Sequence, residues 1–436
     1  IIRGMRKMFP HCLKLSYKDT AQQNSYVTIP RAAYSFDNTE TAANVDEDII
    51  DSLTGGRLVG SVTSFENFAE CPLRYYLRYG VDLKEREEFT FSPVNFGVVL
   101  HAVIREVCDE IKKNGESYYM ISEEKRREMV ERSVTAITDI YQNSILKDSS
   151  RNSFMIKRME DLADRTIWAM GEQLKCGDFV PFVFEHKFNM EVGDGDRKQL
   201  MSGTIDRVDI CENGTDVYVR IIDYKTGKKD FNIVKTYYGI DIQLMVYMEA
   251  AMKLVAKMRP GKNVIPAGVF YYNISDPIVS ATTESAEEIE DKIKGELRLK
   301  GMVNSDKDIA EKMDNTEGTS LNIPVSRKAD GGFDSRRSKV MNTEQFNMLG
   351  RFVDVRAVDT ADRIAGGDIR RSPYKDGQFS SCDRCPYGAV CGFSVDLPGC
   401  NYRKLKKFDD EVLWNNIKEG VDENGKKMDT GAEERD

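Results

Sequence analysis

No G-x-x-x-x-G-K-[S/T] phosphate loop occurs in the 436 residues, so an ATP-driven motor of that kind would have to lie upstream in a longer chain or in a partner. No apolar run approaches the length of a membrane span, and the opening Ile1-Ile2-Arg3-Gly4 is not a signal peptide. There is no initiating methionine, and the chain is expected to be a piece of a longer protein. Positive charge is not in excess. A net charge of −9 argues against a protein that coats nucleic acid non-specifically, although one basic groove on an acidic body remains compatible with it. Nine cysteines without an export signal place the chain in a reducing compartment, the cytoplasm, where clustered thiols are metal ligands more often than disulfides. The remainder is an ordinary globular composition, 40% hydrophobic and 31% charged, of a length that suggests two or three domains.

The densest chemistry lies between Leu200 and Tyr247. Residues 217–224 are a β-branched and aromatic run, which predicts a buried strand ending in Asp223-Tyr224-Lys225. Side chains alternate along a strand, so Asp223 and Lys225 share one face and Tyr224 points to the other. An upstream strand carries Gly203-Thr204-Ile205-Asp206, with a turn at Glu212-Asn213-Gly214 between the two. That hairpin brings Asp206 and Asp223 together. Two carboxylates and a lysine at one strand end make a magnesium site with a cation beside it, the equipment for cutting a phosphodiester. An isolated D-x-K is more often a strand end in solvent, and the neighbours shift the weight. Glu185 lies on an earlier strand, while Gln243 and Tyr247 stand one turn apart on one face of the next helix. Asp209 is read as a partner for Arg207 or for solvent.

Other elements follow from pattern. Ser61 or Thr63 caps a helix that leads into an aromatic segment at 68–77 carrying Cys71. Gly97-Val98-Val99-Leu100-His101 opens a helix to about 113, with Val99, Val103, Ile104 and Val107 at helical spacing and His101 beside the stripe. Helices are expected at 123–142, 154–174 and about 240–257, and strands at about 181–190, 199–210, 216–224 and 268–272. Residues 303–340 read as an irregular insertion or mobile loop, and Asn342 caps a helix stopped by Gly366-Gly367. The order fits an α/β core with a mixed sheet.

Cys382, Cys385 and Cys391 form C-x2-C-x5-C, which implies metal or redox chemistry; Cys12, Cys108, Cys176, Cys211 and Cys400 are scattered. A zinc site with Cys400 as fourth ligand is one meaning of the trio. On its own, Cys71 reads as a small buried hydrophobe.

The order E, G-x-x-D, D-x-K, Q-x-x-x-Y over residues 61–405 resembles the PD-(D/E)XK nuclease superfamily, in its branch found in bacterial helicase–nuclease machines. G-x-x-L-H, ending at His101, is a further signature of that branch. The resemblance implies a restriction-endonuclease-like core over 56–405, preceded at 1–55 by the tail of a helicase-like domain and followed by an extension at 406–436. It implies Mg²⁺ or Mn²⁺ on Glu185, Asp206, Asp223 and the Tyr224 carbonyl, with His101 at the metal, and leaves Glu191 as a competitor for the place of Glu185. Lys225 would orient water or stabilise the transition state, and Gln243 and Tyr247 would position DNA or Lys225. One upstream and three downstream cysteines also match AddB-type nuclease domains and CRISPR-associated exonucleases, which implies a 4Fe–4S cluster on Cys71, Cys382, Cys385 and Cys391. The function implied is degradation of single-stranded DNA during end resection beside an AddA-type helicase–nuclease partner. A free-standing exonuclease and a catalytically idle, cluster-stabilised DNA-binding scaffold are the rivals.

Overall fold

Apolar side chains recur every third or fourth residue in helix α1 (Pro93–Lys113). Phe96, Val99, Leu100, Val103, Ile104, Val107 and Ile111 are all buried along one stripe, and His101 sits at its edge. Helices α2 (Glu123–Ile140) and α3 (Ser150–Lys175) complete a layer whose buried residues cluster with Cys211, Tyr218, Ile222 and Tyr224. In this computed structural model the described residues are 59–84, 93–140, 150–192, 199–280, 284–397 and 400–433. Residues 1–55, read above as a helicase-like tail, lie outside them.

The chain divides into two compact units. Among the described residues the first comprises 93–140, 150–191, 201–280, 284–356 and 408–433. After the three helices come strands β1 (Val180–Val192), β2 (Gln199–Asn213) and β3 (Asp216–Lys225), then helices α4 (Ile233–Tyr237) and α5 (Gln243–Met258). Strand β4 (Asn263–Asn273), helix α6 (Ala286–Glu296), strand β5 (Lys300–Asn304), helix α7 (Lys307–Met313) and strand β6 (Val340–Met341) follow. Helix α8 (Thr343–Ala365) begins in this unit, and α9 (Asp410–Glu433) ends it.

Sheet order is β2–β3–β4–β5–β6, with β1 also paired to β2. Strands β2 and β3 are antiparallel, β3 and β4 parallel, β4 and β5 antiparallel, β5 and β6 parallel. The parallel β3–β4 pair needs a crossover, which α4 and α5 supply, and α5 packs on both strands. The sheet is therefore mixed and flanked by helices, the expected PD-(D/E)XK architecture.

Two boundaries differ from expectation. Residues 303–340, expected to be irregular, contain α7 and a loop built on the buried Asp314 carboxylate. That carboxylate accepts from Thr316 N at 2.8 Å, Ser320 Oγ at 2.7 Å and Asn322 Nδ2 at 3.0 Å. Polar networks of this kind leave no hydrophobic period to read. The segment expected as an extension from 406 belongs to the first unit from residue 408, where the Phe408 ring lies 5.4 Å from that of Tyr237.

Among the described residues the second unit comprises 59–84, 192, 199–200, 357–397 and 400–407. Ser61 caps the helix Val62–Glu70, accepting from Ser64 N at 3.1 Å. Cys71 ends that helix, and Pro72 starts the next short one at its first position, where a missing N–H costs nothing. Leu73 N donates to Arg370 O at 3.2 Å, Tyr387 OH to Leu83 O at 2.9 Å, and the Arg403 guanidinium to Ala69 O. The basic run from Arg403 begins with a short strand, Arg403–Lys404, parallel to Tyr374–Asp376.

Candidate active site and cysteine cradle

The hairpin of β2 and β3 keeps an antiparallel register in which Arg207 faces Ile222, Val208 faces Ile221 and Asp209 faces Arg220. Continued by one residue, that register sets Asp206 beside Asp223. The Asp206 Oδ2 atom accepts from Tyr224 N at 2.6 Å. Its Oδ1 lies 3.4 Å from His101 Nδ1, and Glu185 Oε1 lies 3.7 Å from the same nitrogen. One ligand atom from each of His101, Glu185 and Asp206 falls within 4.8 Å of the others, the sole such trio of His, Cys, Asp or Glu among the described residues. Burial pulls the His101 imidazole down, but the Asp206 and Glu185 carboxylates outweigh it and hold it up at about 10. Burial, then the neighbouring Asp206 charge, pushes the Asp223 carboxyl up to about 6. A site that raises both a base and an acid is one short of positive charge.

Glu185 reaches the trio through its backbone. Its φ of 47° lies in the left-handed region, uncommon for a residue with a Cβ, in the middle of β1. A residue held there costs on the order of 1–3 kcal/mol, and such conformations concentrate at functional sites. Glu191, the competitor, is exposed and outside the trio.

Lys225 projects on the Asp223 face. Its Nζ lies 2.5 Å from Asp223 Oδ2 and donates to Gln243 Oε1 at 2.9 Å. Gln243 Nε2 donates in turn to Tyr247 OH at 2.9 Å. Gln243 and Tyr247 are one turn apart on α5, so one helix face passes the restraint from the Tyr247 ring to the ammonium. The Tyr247 ring meets Phe188 of β1 edge-on at 5.6 Å. Gly203 permits this: a Cβ there would stand 2.7 Å from Phe188 and 3.0 Å from Tyr247.

In the second unit, Cys71, Cys382, Cys385 and Cys391 line one cavity together with Leu73, Leu77, Tyr387 and Phe393. Cys400 is buried and is not among its lining residues. Burial pushes the Cys71 and Cys382 thiols up and Cys391 up to about 11.

The sequence model of the PD-(D/E)XK nuclease superfamily matches residues 60–392, more than three-quarters of the chain. The chain belongs to the PD-(D/E)XK nuclease superfamily. Curated relatives named as the B-type component of an ATP-dependent helicase/deoxyribonuclease are similar to it over most of its length. The protein of Lachnoclostridium phytofermentans is 34% identical over 399 residues, 89% of this chain and 34% of the relative. That of Thermoanaerobacter sp. strain X514 is 33% identical over 380 residues, 85% of this chain and 33% of the relative. That of Clostridium acetobutylicum is 34% identical over 391 residues, 87% and 34%. The chain thus spans about a third of the length of the curated relatives it matches.

Within this PD-(D/E)XK domain, the first unit brings together seven residues singled out from sequence. They are His101, Glu185, Asp206, Asp223, Lys225, Gln243 and Tyr247. The Tyr224 backbone enters through its N–H to Asp206, and its buried ring meets His101 edge-on at 5.9 Å. Asp209 is not at the site. It accepts both Arg207 donors, at 2.7 and 2.6 Å, and Arg220 Nε at 2.9 Å, all fully buried. Sequence reasoning missed Lys229, Asp241 and Asn273, described below. Among the described residues no helix is long and apolar enough to cross a membrane.

Proposed function

We propose that the chain is the nuclease domain of a helicase–nuclease complex and hydrolyses phosphodiesters of single-stranded DNA with Mg²⁺ or Mn²⁺. It would act in the cytoplasm on DNA ends, during double-strand-break resection and recombination repair, beside an AddA-type partner. The observation that carries this reading is one lysine, Lys225, fixed between Asp223 and Gln243 next to an acidic ligand set.

His101, Glu185, Asp206 and Asp223, with the Tyr224 carbonyl, would hold the cation; oxygen-rich donors suit a hard ion that keeps several waters. When bound, it supplies Lewis-acid polarisation of the phosphoryl oxygens and a more acidic water. The chain's own residues do the rest. Lys225 presents a fixed positive charge to the phosphate oxygens, where negative charge grows as water attacks phosphorus and the P–O ester bond breaks. Gln243 and Tyr247 hold that ammonium still, so little reorganisation is needed in the transition state. His101 anchors the carboxylates of Asp206 and Glu185.

Cys71, Cys382, Cys385 and Cys391 would hold a 4Fe–4S cluster, which supplies cross-linking between two segments some three hundred residues apart and so adds to folding free energy. The role expected is a staple.

The test is anaerobic purification, then iron and sulfide analysis, a visible spectrum, and cleavage of labelled single-stranded DNA with Mg²⁺ and with EDTA. Iron-dependent colour and EDTA-sensitive cutting are expected. A colourless zinc protein contradicts the cluster alone. Absence of Mg²⁺-dependent cutting, also with an AddA-type partner added, favours the idle scaffold.

A further inference from the structure

Four residues past Lys225, a second lysine is fixed at both its ends. Lys229 N donates to Asn273 Oδ1 at 2.9 Å, and Asn273 Nδ2 donates back to Lys229 O at 3.0 Å. The Lys229 Nζ atom lies 3.0 Å from Asp241 Oδ1 and 4.4 Å above the Tyr271 ring. Tyr271 OH donates to the same Asp241 oxygen at 2.6 Å, so ring, carboxylate and ammonium form one closed set. Asp241 and Tyr271 are buried, whereas the lysine side chain is 31% exposed.

The place matters as much as the fixing. Tyr271 is the β4 partner of Asp223, and Lys225 Nζ approaches the same ring at 5.5 Å. A strand entering here brings phosphates towards Glu185, Asp206 and Asp223, which repel them. Lys225, held by Asp223 and Gln243, is aimed at the phosphate that is cut, which leaves the neighbouring phosphate to a second cation. Holding a flexible lysine in one geometry costs side-chain entropy, and an ion pair at a partly wet site returns little of it.

We propose that Lys229 is a second phosphate-binding cation of this site, contacting the backbone phosphate next to the one that is cut, with Asp241 and Asn273 as positioning residues. The inference rests on the nuclease reading above. A lysine that neutralises one phosphate of a single strand contributes about 0.7 to the slope of log affinity against log salt.

The experiment is steady-state cleavage of labelled oligothymidylate by the wild type, Lys229→Gln, Lys229→Arg and Asp241→Asn across a NaCl series in Mg²⁺, with thermal melts of each. Lys229→Gln is expected to raise KM about tenfold with kcat changed less than about threefold, and to lower the salt slope of 1/KM by about 0.7. Lys229→Arg should restore the slope. Asp241→Asn should raise KM and keep the slope, since the charge remains. A wild-type slope and KM in Lys229→Gln overturns the inference and leaves the nuclease reading standing. A lowered melting temperature with both kinetic readouts unmoved makes Lys229 structural only, and overturns it too. A wild type that does not cut, with an AddA-type partner added as well, overturns both.

Discussion

The ammonium of Lys225 donates to the side-chain oxygen of Gln243 at 2.9 Å, across eighteen residues of sequence. Gln243 is itself held by Tyr247. The lysine is therefore placed by a helix that follows its strand, and its aim depends on a neutral amide. Gln243→Ala is expected to lower kcat by about 10- to 100-fold, because misplacing a catalytic group by an ångström costs that much. Mg²⁺ affinity should be unchanged. A single-turnover cleavage series with a Mg²⁺ titration checks both.

Gly203→Ala should act on the same chain from further away. The new methyl group meets the Phe188 and Tyr247 rings at 2.7 and 3.0 Å, and neither ring can move without disturbing their mutual packing. A loss of about 1–3 kcal/mol in stability is expected from overpacking. Reduced cleavage should accompany it at temperatures where the protein is still folded, as thermal melts run beside the assay will show.

Asp209 carries two arginines. Arg207 and Arg220 are both fully buried, and their guanidinium groups hold the Asp209 carboxyl below the usual range against the effect of its burial. Asp209→Ala leaves two unpaired buried charges and is expected to cost about 3–5 kcal/mol. Insoluble protein, or a melting temperature lowered by many degrees, is the expected outcome; an unchanged melt contradicts it.

Away from the site, Asp354 of α8 faces Glu249 of α5. Burial, and then the hydrogen bond and charge of Glu249, push Asp354 up to about 8, with Lys253 opposing. Between about pH 4 and pH 8 the folded carboxyl holds a proton that the unfolded one has lost, so stability falls as pH rises through that window. Asp354→Asn removes this dependence, so it should be stabilising already at pH 6 and more so at pH 8.5, the gain growing by on the order of 2 kcal/mol between the two. Chemical denaturation at the two pH values decides it.

What was legible in the sequence is what periodicity controls. Asp206, Asp223 and Lys225 could be set on one face because strands alternate. Gln243 and Tyr247 could be paired because a helix turns in 3.6 residues. The downstream cysteine trio was readable because close thiols need a reason, whereas Cys71 by itself read as a small buried hydrophobe and joined the trio only through the family resemblance. Glu185 could not be placed by pattern: its φ of 47° breaks the alternation that would have aimed it. Lys229 lies in a loop, and its partners Asp241 and Asn273 come from other elements, so no local signal marks it. The arginine pair on Asp209 left one trace, since Asp209 and Arg220 are cross-strand partners, but charged residues in a strand read as solvent-facing until burial is known.

The most direct test of the account is Mg²⁺-dependent cleavage of single-stranded DNA by the wild type and by Lys225→Ala, with melting temperatures measured beside it. Cutting by the wild type, and its loss by at least about 100-fold in a Lys225→Ala protein that melts normally, is the predicted result. Cutting that survives in Lys225→Ala would contradict the account and put the chemistry elsewhere in the chain.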